Sequence, residues 1–298
     1  MENTELTENN DIKETEINLD ENALEKEQNS LVKEFFVKEG GDSVKELSQL
    51  FGQSESELTK EFGSYKAKKI LKRISCYIDI STKYRDGIVK ELQSILKRGF
   101  YGVTLYSNVL PIAKNVLKGS DVKIRVLVNY PHGEETYKTT KYAVKQAVKT
   151  GADQIAIMLS PYEIKNGELK EVIKKLKKLI KKAKKKQMIV ILNVEKLTLA
   201  EIETTIRQLS DLKLYAITLS GEVDKARISE VISACNVKTS IECFSSVCVA
   251  EQAISLLLSG VNVLTTDNYN EVVDDLNKKI SGITGCDGQL LDKSCDKD

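Results

Sequence analysis

The sequence predicts an α/β fold, a TIM (β/α)8 barrel with a short helical N-terminal extension. Three observations carry this. From residue 74 onward, eight short apolar, β-branched runs follow one another. Each is separated from the next by a stretch long enough for one helix. Strand–helix alternation requires parallel strands joined by right-handed crossovers, and eight such units are the number that closes a barrel. A doubly wound open sheet is the alternative, but no Gly-x-Gly-x-x-Gly turn follows any of the runs.

Taken in order, residues 1–30 hold ten acids and two lysines, a net of −8. They have few large apolar residues, so they cannot bury enough surface to order themselves and read as a disordered acidic leader. Residues 31–73 read as a helical cap. Ser43-Val-Lys-Glu46 and Ser54-Glu-Ser-Glu57 both match the capping box, and Gly52 marks a turn between them. A second helix carrying Glu55, Glu57 and Glu61 would repel phosphates, which argues against a DNA-reading helix pair. Residues 74–280 form the barrel. Its predicted strands are Ser75–Ile80, Gly102–Leu105, Lys123–Val128, Gln154–Leu159, Met188–Asn193, Leu214–Leu219, Val237–Glu242 and Asn262–Thr265. Among the helices, Asp86–Arg98 puts Ile88, Val89, Leu92, Ile95 and Leu96 on one side. Residues 281–298 read as a flexible polar tail holding Cys286 and Cys295.

Composition excludes several functions. The chain has 298 residues and a formal charge of +1, so net charge names no polyanionic partner. His132 is the single histidine, which excludes a His-rich metal site. The six cysteines form no Cys-x-x-Cys pair, so no zinc ribbon is expected. No metal and no cofactor is expected. No apolar run approaches a membrane span, and reduced thiols in the cytoplasm are the default reading. Glu168–Lys186 holds ten lysines opposite an apolar stripe of Leu169, Val172, Ile173, Leu176, Leu179, Ile180 and Ala183. The Lys170–Lys186 helix reads as a solvated outer helix rather than a nucleic-acid site, because no aromatic residue interleaves the lysines.

Ordered motifs then point to a family. Tyr77-Ile-Asp79, Gly99-Phe-Tyr-Gly-Val103, the run Ala113–Lys123, Asn129-Tyr-Pro-His-Gly133 and Gly151-Ala-Asp153 occur in the order, and near the strands, in which the deoxyribose-phosphate aldolase family carries similar motifs. Between Lys72 and Ile280 the chain resembles that family of class I aldolases. The resemblance implies reversible cleavage of 2-deoxyribose 5-phosphate to glyceraldehyde 3-phosphate and acetaldehyde. It implies a lysine nucleophile, because Schiff-base formation needs a free amine. A second lysine would lower the nucleophile's pKa, an aspartate would relay protons, and glycine turns would hold the phosphate.

Motif by motif, the carry-over fails at the chemistry. Ala216-Ile217-Thr218-Leu219-Ser220-Gly221 stands for the sixth-strand Val-Lys-Thr-Ser-Thr-Gly, which puts Ile217 at the nucleophile. Ala156 stands at the relay acid, and Asn193 at the fifth-strand glutamate. The second lysine survives as Lys238, while Ile241 and Glu242 stand for the two glycines after it, and Thr265-Thr266-Asp267-Asn268-Tyr269 stands for the eighth-strand Gly-Thr-Ser-Ser-Gly, so both phosphate turns lose their glycines and gain Glu242 and Asp267. The expectation is a degenerate, catalytically inactive aldolase-like barrel with a binding, regulatory or scaffold role. The alternative is a surviving lyase using Lys238 with Asp79, and a weaker alternative is nucleic-acid binding through the Lys170–Lys186 helix. Asp79, Asn129, His132, Asn193, Lys238 and Glu242 are the candidates to line the mouth, which suits a small polar ligand. Arg125, inside the third strand, is left as either an anion contact within the barrel or an outward residue. No membrane partner is expected, and a homodimer is implied by resemblance.

Overall fold

A computed structural model describes residues 67–81, 83–235 and 239–284. The leader, both capping boxes of the helical cap, Lys238, Cys286 and Cys295 lie outside the described residues.

Eight parallel strands close in sequence order. They are β1 (Ile74–Tyr77), β2 (Gly102–Tyr106), β3 (Lys123–Val128), β4 (Gln154–Met158), β5 (Gln187–Asn193), β6 (Ala216–Ser220), β7 (Ser240–Phe244) and β8 (Leu264–Thr266). The helices between and after them are α1 (Arg85–Arg98), α2 (Leu110–Val116), α3 (Tyr137–Thr150), α4 (Pro161–Lys165), α5 (Leu169–Ala183), α6 (Leu199–Ser210), α7 (Lys225–Cys235), α8 (Ala250–Leu258) and α9 (Tyr269–Thr284). β1 pairs with β8, with Ser75 opposite Thr265, so the sheet has no edge. Arg73 helps fasten this seam. Its guanidinium donates to the carbonyls of Leu257 (3.0 Å), Asn262 (3.2 Å) and Val261, tying the entry to β1 to the loop before β8.

Local sequence explains the helix ends. α1 and α3 stop at Gly99 and Gly151, both left-handed (φ 72° and 98°), where a glycine carries no Cβ penalty. α6 opens with a full capping box between Thr198 and Glu201. The strands are buried on both faces. Their outward residues, such as Val126, Ile155, Val190, Ile217 and Leu219, pack against the helices in one large cluster. Their inward residues fill the lumen. Among the described residues no helix is long and apolar enough to cross a membrane, and Cys76, Cys243 and Cys248 are free thiols.

Candidate functional site

Barrel chemistry is carried by inward side chains near the C-terminal ends of the strands. The inward positions here stack into zones. Toward the N-terminal end, Gln154 donates to the Tyr101 hydroxyl (2.8 Å) and to Gln187 Oε1 (2.7 Å), and the Tyr101 and Tyr215 hydroxyls are 3.2 Å apart.

The middle zone holds an ion pair. Arg125 on β3 and Glu242 on β7 are 2% and 0% exposed. Arg125 Nη1 lies 2.8 Å from Glu242 Oε2, and Nη2 donates to Oε1 at 3.1 Å, a two-pronged match of guanidinium to carboxylate. Arg125 Nε donates to Gln154 Oε1 (3.0 Å) and Nη1 to Thr265 Oγ1 (3.4 Å); Thr218 donates to Glu242 Oε2 (3.1 Å). Beside the pair, Ser75 Oγ and Thr104 Oγ1 share a hydrogen bond of 2.9 Å. Taking both charges out of water is costly, and this full set of partners is what makes it tolerable.

The upper zone is apolar. Leu127, Ala156, Met158, Ile189, Ile191, Ala216 and Phe244 form an inner cluster of their own, with Tyr77, Tyr106 and Tyr130 packed on it. The Tyr130 and Phe244 rings stack at 5.3 Å with planes 4° apart, and Tyr77 meets Phe244 edge-on at 5.2 Å. Burial beside Tyr106 and Asp267 pushes the Tyr130 phenol up to about 12. Burial, and a hydrogen bond that Tyr77 donates to Tyr106, push Tyr77 up as well. An aromatic layer therefore sits over the ion pair, toward the strand ends where barrel active sites lie.

The predicted mouth residues fall into different places. Ile217, which the motif resemblance sets at the nucleophile position, faces away from the lumen. It is fully buried in the outer cluster against the helices, and the inward positions of β6 are Ala216, Thr218 and Ser220. The reason is register, since Ile217 pairs with Val190 and Ile241, which also face outward. Ala156 does face the lumen, within the apolar cluster. Glu242 is not at the mouth but below the aromatic layer, where it pairs with Arg125. Lys238 lies outside the described residues; β7 opens two residues later, at Ser240, so in sequence Lys238 precedes the strand.

The loop candidates are engaged by their own turns. Asp79 is exposed and accepts from the Ser81 amide and hydroxyl (both 2.9 Å), which holds its carboxyl below the ordinary range. Asn129 (φ 60°) donates to Met158 O at 3.1 Å and accepts from the Glu135 amide at 2.7 Å. Asn193 accepts from the amides of Glu195 (3.0 Å) and Lys196 (3.2 Å). His132 is exposed and has no hydrogen bond or ion pair among the described residues. The Thr266 hydroxyl ties the last two loops together. It accepts from the amides of Val247 (3.1 Å) and Asn268 (3.2 Å) and donates to Val247 O (3.1 Å).

Two sites escaped the sequence reading. The Arg125–Glu242 pair joins residues 117 apart, and only closure of the barrel reveals it. A groove of about 680 Å³ opens between the β6–α7 and β7–α8 loops, lined by Glu222, Asp224, Lys225, Ser245, Ser246 and Glu251 among others. Among the described residues no cluster of three or more His, Cys, Asp or Glu could hold a metal ion.

A family model described as "6-phospho-N-acetylmuramidase, N-terminal" matches residues 128–263. The deoxyribose-phosphate aldolase of Mycoplasma pneumoniae is 27% identical over 189 residues, 61% of this chain and 83% of that protein. That of Clostridium botulinum is 29% identical over 154 residues, 50% of this chain and 68% of that protein. Among solved structures, an aldolase described as QR15 superposes with a TM-score of 0.66 at 16% identity, over 70% of this chain and 96% of its own. The deoxyribose phosphate aldolase from Aeropyrum pernix superposes with a TM-score of 0.62 at 12% identity, over 70% and 90%. These likenesses of structure speak to the fold.

Proposed function

The chain belongs to the deoxyribose-phosphate aldolase-like TIM barrels, and we propose that it is a member that has lost the aldol reaction and serves as a binding, regulatory or scaffold barrel. The observation that carries this reading is the filled lumen. A class I aldolase needs an uncharged lysine amine facing its substrate. The eight strands contain one lysine, Lys123, exposed at the first residue of β3. The inward positions are taken by the Arg125–Glu242 pair and, above it, by the aromatic and aliphatic layer that includes Ala156, where the resemblance calls for a relay acid. Among the described residues, a ketone or aldehyde entering there would meet no lysine amine and no free acid.

Hydrolysis of a phosphorylated amino sugar, suggested by the description of the matching family model, meets the same obstacle. Glycoside cleavage needs a carboxyl group that reaches the leaving oxygen. Glu242 is buried under the aromatic layer and engaged by Arg125 and Thr218. A small polar or cationic ligand is better received by the acidic, hydroxyl-lined groove beside Ser245 and Asp224. The alternative, an active lyase, rests on Lys238.

The test is direct. The full chain is incubated with 2-deoxyribose 5-phosphate and release of acetaldehyde is followed through a coupled dehydrogenase. The proposal expects no release above the protein-free control. Turnover that disappears in Lys238→Ala would overturn it.

A further inference from the structure

The charge of the barrel is concentrated on one side. Residues 137–186 contain fifteen lysines and four acids, a net of +11. Residues 187–284, the following half of the barrel, contain eight basic and thirteen acidic residues, a net of −5. The basic segment is α3, α4 and α5, and α3 packs directly beside α5. α3 has no acid at all, and its lysines recur at residues 138, 141, 145 and 149, a spacing that keeps them on neighbouring turns.

These lysines are largely unpaired. Lys174 reaches Glu171 (3.3 Å) and Lys175 reaches Glu163 (2.6 Å). Lys145, Lys149, Lys177, Lys178, Lys181 and Lys182 are all exposed and have no hydrogen-bond or ion-pair partner among the described residues. Holding so many like charges on two adjacent helices is self-repulsive, and a polyanion relieves it.

Exposed aromatic residues stand on the same packed helices. Tyr142 on α3 is 65% exposed, and Tyr162 on α4, which packs on α5, is 68% exposed. Tyrosine faces beside a lysine track are the elements that sequence-tolerant single-strand binding uses, phosphates on the lysines and bases on the rings. The patch carries lysine and no arginine, so it offers point charges to phosphates rather than forked contacts to base edges. A membrane surface is the poorer match. The apolar stripe of α5 (Leu169, Val172, Ile173, Leu176, Leu179) is buried against the barrel and leaves nothing to insert among lipids.

We propose that the α3–α5 face is a docking surface for single-stranded nucleic acid, bound through its phosphates without sequence preference. This stands apart from the reading of the lumen and survives whether or not any aldol activity is found.

The experiment measures binding of the full chain to a fluorescein-labelled 20-nucleotide oligo-dT by anisotropy across a salt series. Six phosphate contacts give a slope of log affinity against log salt of about −4, so affinity falls about 300-fold between 50 and 200 mM salt. Replacing Lys145, Lys149, Lys177, Lys178, Lys181 and Lys182 by Gln is expected to weaken binding at least 100-fold. Tyr142→Ala should weaken it about tenfold, the loss of one stacked base. A control with the same change in net charge replaces the exposed Lys68, Lys72, Lys90, Lys97, Lys118 and Lys213 by Gln and should stay within about threefold of the parent. No binding by the parent, equal loss in the control, or unchanged binding in the six-lysine variant overturns the proposal. So does salt-sensitive binding to phosphatidylserine vesicles without binding to the oligonucleotide, which would assign the face to a membrane.

Discussion

Breaking the central ion pair from one side should cost more than removing it altogether. Arg125→Met strips Glu242 of both guanidinium contacts and leaves only the Thr218 hydroxyl at 3.1 Å. Glu242→Leu leaves the guanidinium with Gln154 at 3.0 Å and Thr265 at 3.4 Å. Each single change strands a charge that is almost wholly buried, at a cost of about 3–5 kcal/mol. The double variant strands no charge. It forfeits the hydrogen bonds to Gln154, Thr218 and Thr265, at about 1 kcal/mol each, and regains part of that by apolar packing, so its net cost is about 1–2 kcal/mol. The sum of the single losses should exceed the double loss by about 4 kcal/mol or more. Urea unfolding at neutral pH, followed by circular dichroism for the parent and the three variants, measures all four corners of the cycle. A single variant losing less than about 1 kcal/mol, or single losses that add up to the double loss, would refute the claim that the pair is desolvated and mutually dependent.

Other outcomes follow from the same zones. Phe244→Ala empties the centre of the aromatic layer and should destabilise the barrel by about 3–5 kcal/mol in the same urea assay. Gly133 has φ 79°, and a Cβ there would meet Leu159 O at 2.6 Å, so Gly133→Ala should cost about 2 kcal/mol, read as a lower urea midpoint. Tyr130 is held neutral up to about pH 12, against 10 for an ordinary tyrosine. The folded state therefore keeps a proton that the unfolded chain gives up, and stability should fall as pH rises from about 10 toward 12. Ultraviolet titration should show this tyrosinate appearing together with loss of secondary structure, and free titration near pH 10 in an intact fold would contradict its burial.

The architecture was legible because alternation of apolar runs with helix-length segments survives any local ambiguity. β3 falls at Lys123–Val128, as read, and the other seven strands overlap their predicted runs. Strand ends were less legible. β7 was read as Val237–Glu242 but runs Ser240–Phe244, and β6 was read as Leu214–Leu219 but runs Ala216–Ser220. Parallel strands buried on both faces are apolar at nearly every position, so hydropathy does not mark which residues point inward. Register, not hydropathy, shows that Ile217 turns toward the helices. Asn129 and Asn193 are ligand-binding candidates in the sequence, and their use in holding their own loops depends on backbone amides that the sequence does not display. The sequence offers two readings of Arg125, and the strand that decides between them is β7, on the far side of the closed barrel. The basic face went unrecognised for a similar reason. The lysines of α5 stood out as a run, but those of α3 and the exposed Tyr142 join them only when the two helices lie side by side.

The central claim, that the lumen no longer supports Schiff-base chemistry, is tested most directly by trapping. The full chain is treated with 2-deoxyribose 5-phosphate, and separately with acetaldehyde, in the presence of borohydride, and its tryptic peptides are weighed by mass spectrometry. No reduced adduct is expected on any lysine at substoichiometric aldehyde. A stoichiometric adduct on one lysine, Lys238 above all, accompanied by cleavage of the sugar phosphate, would contradict it.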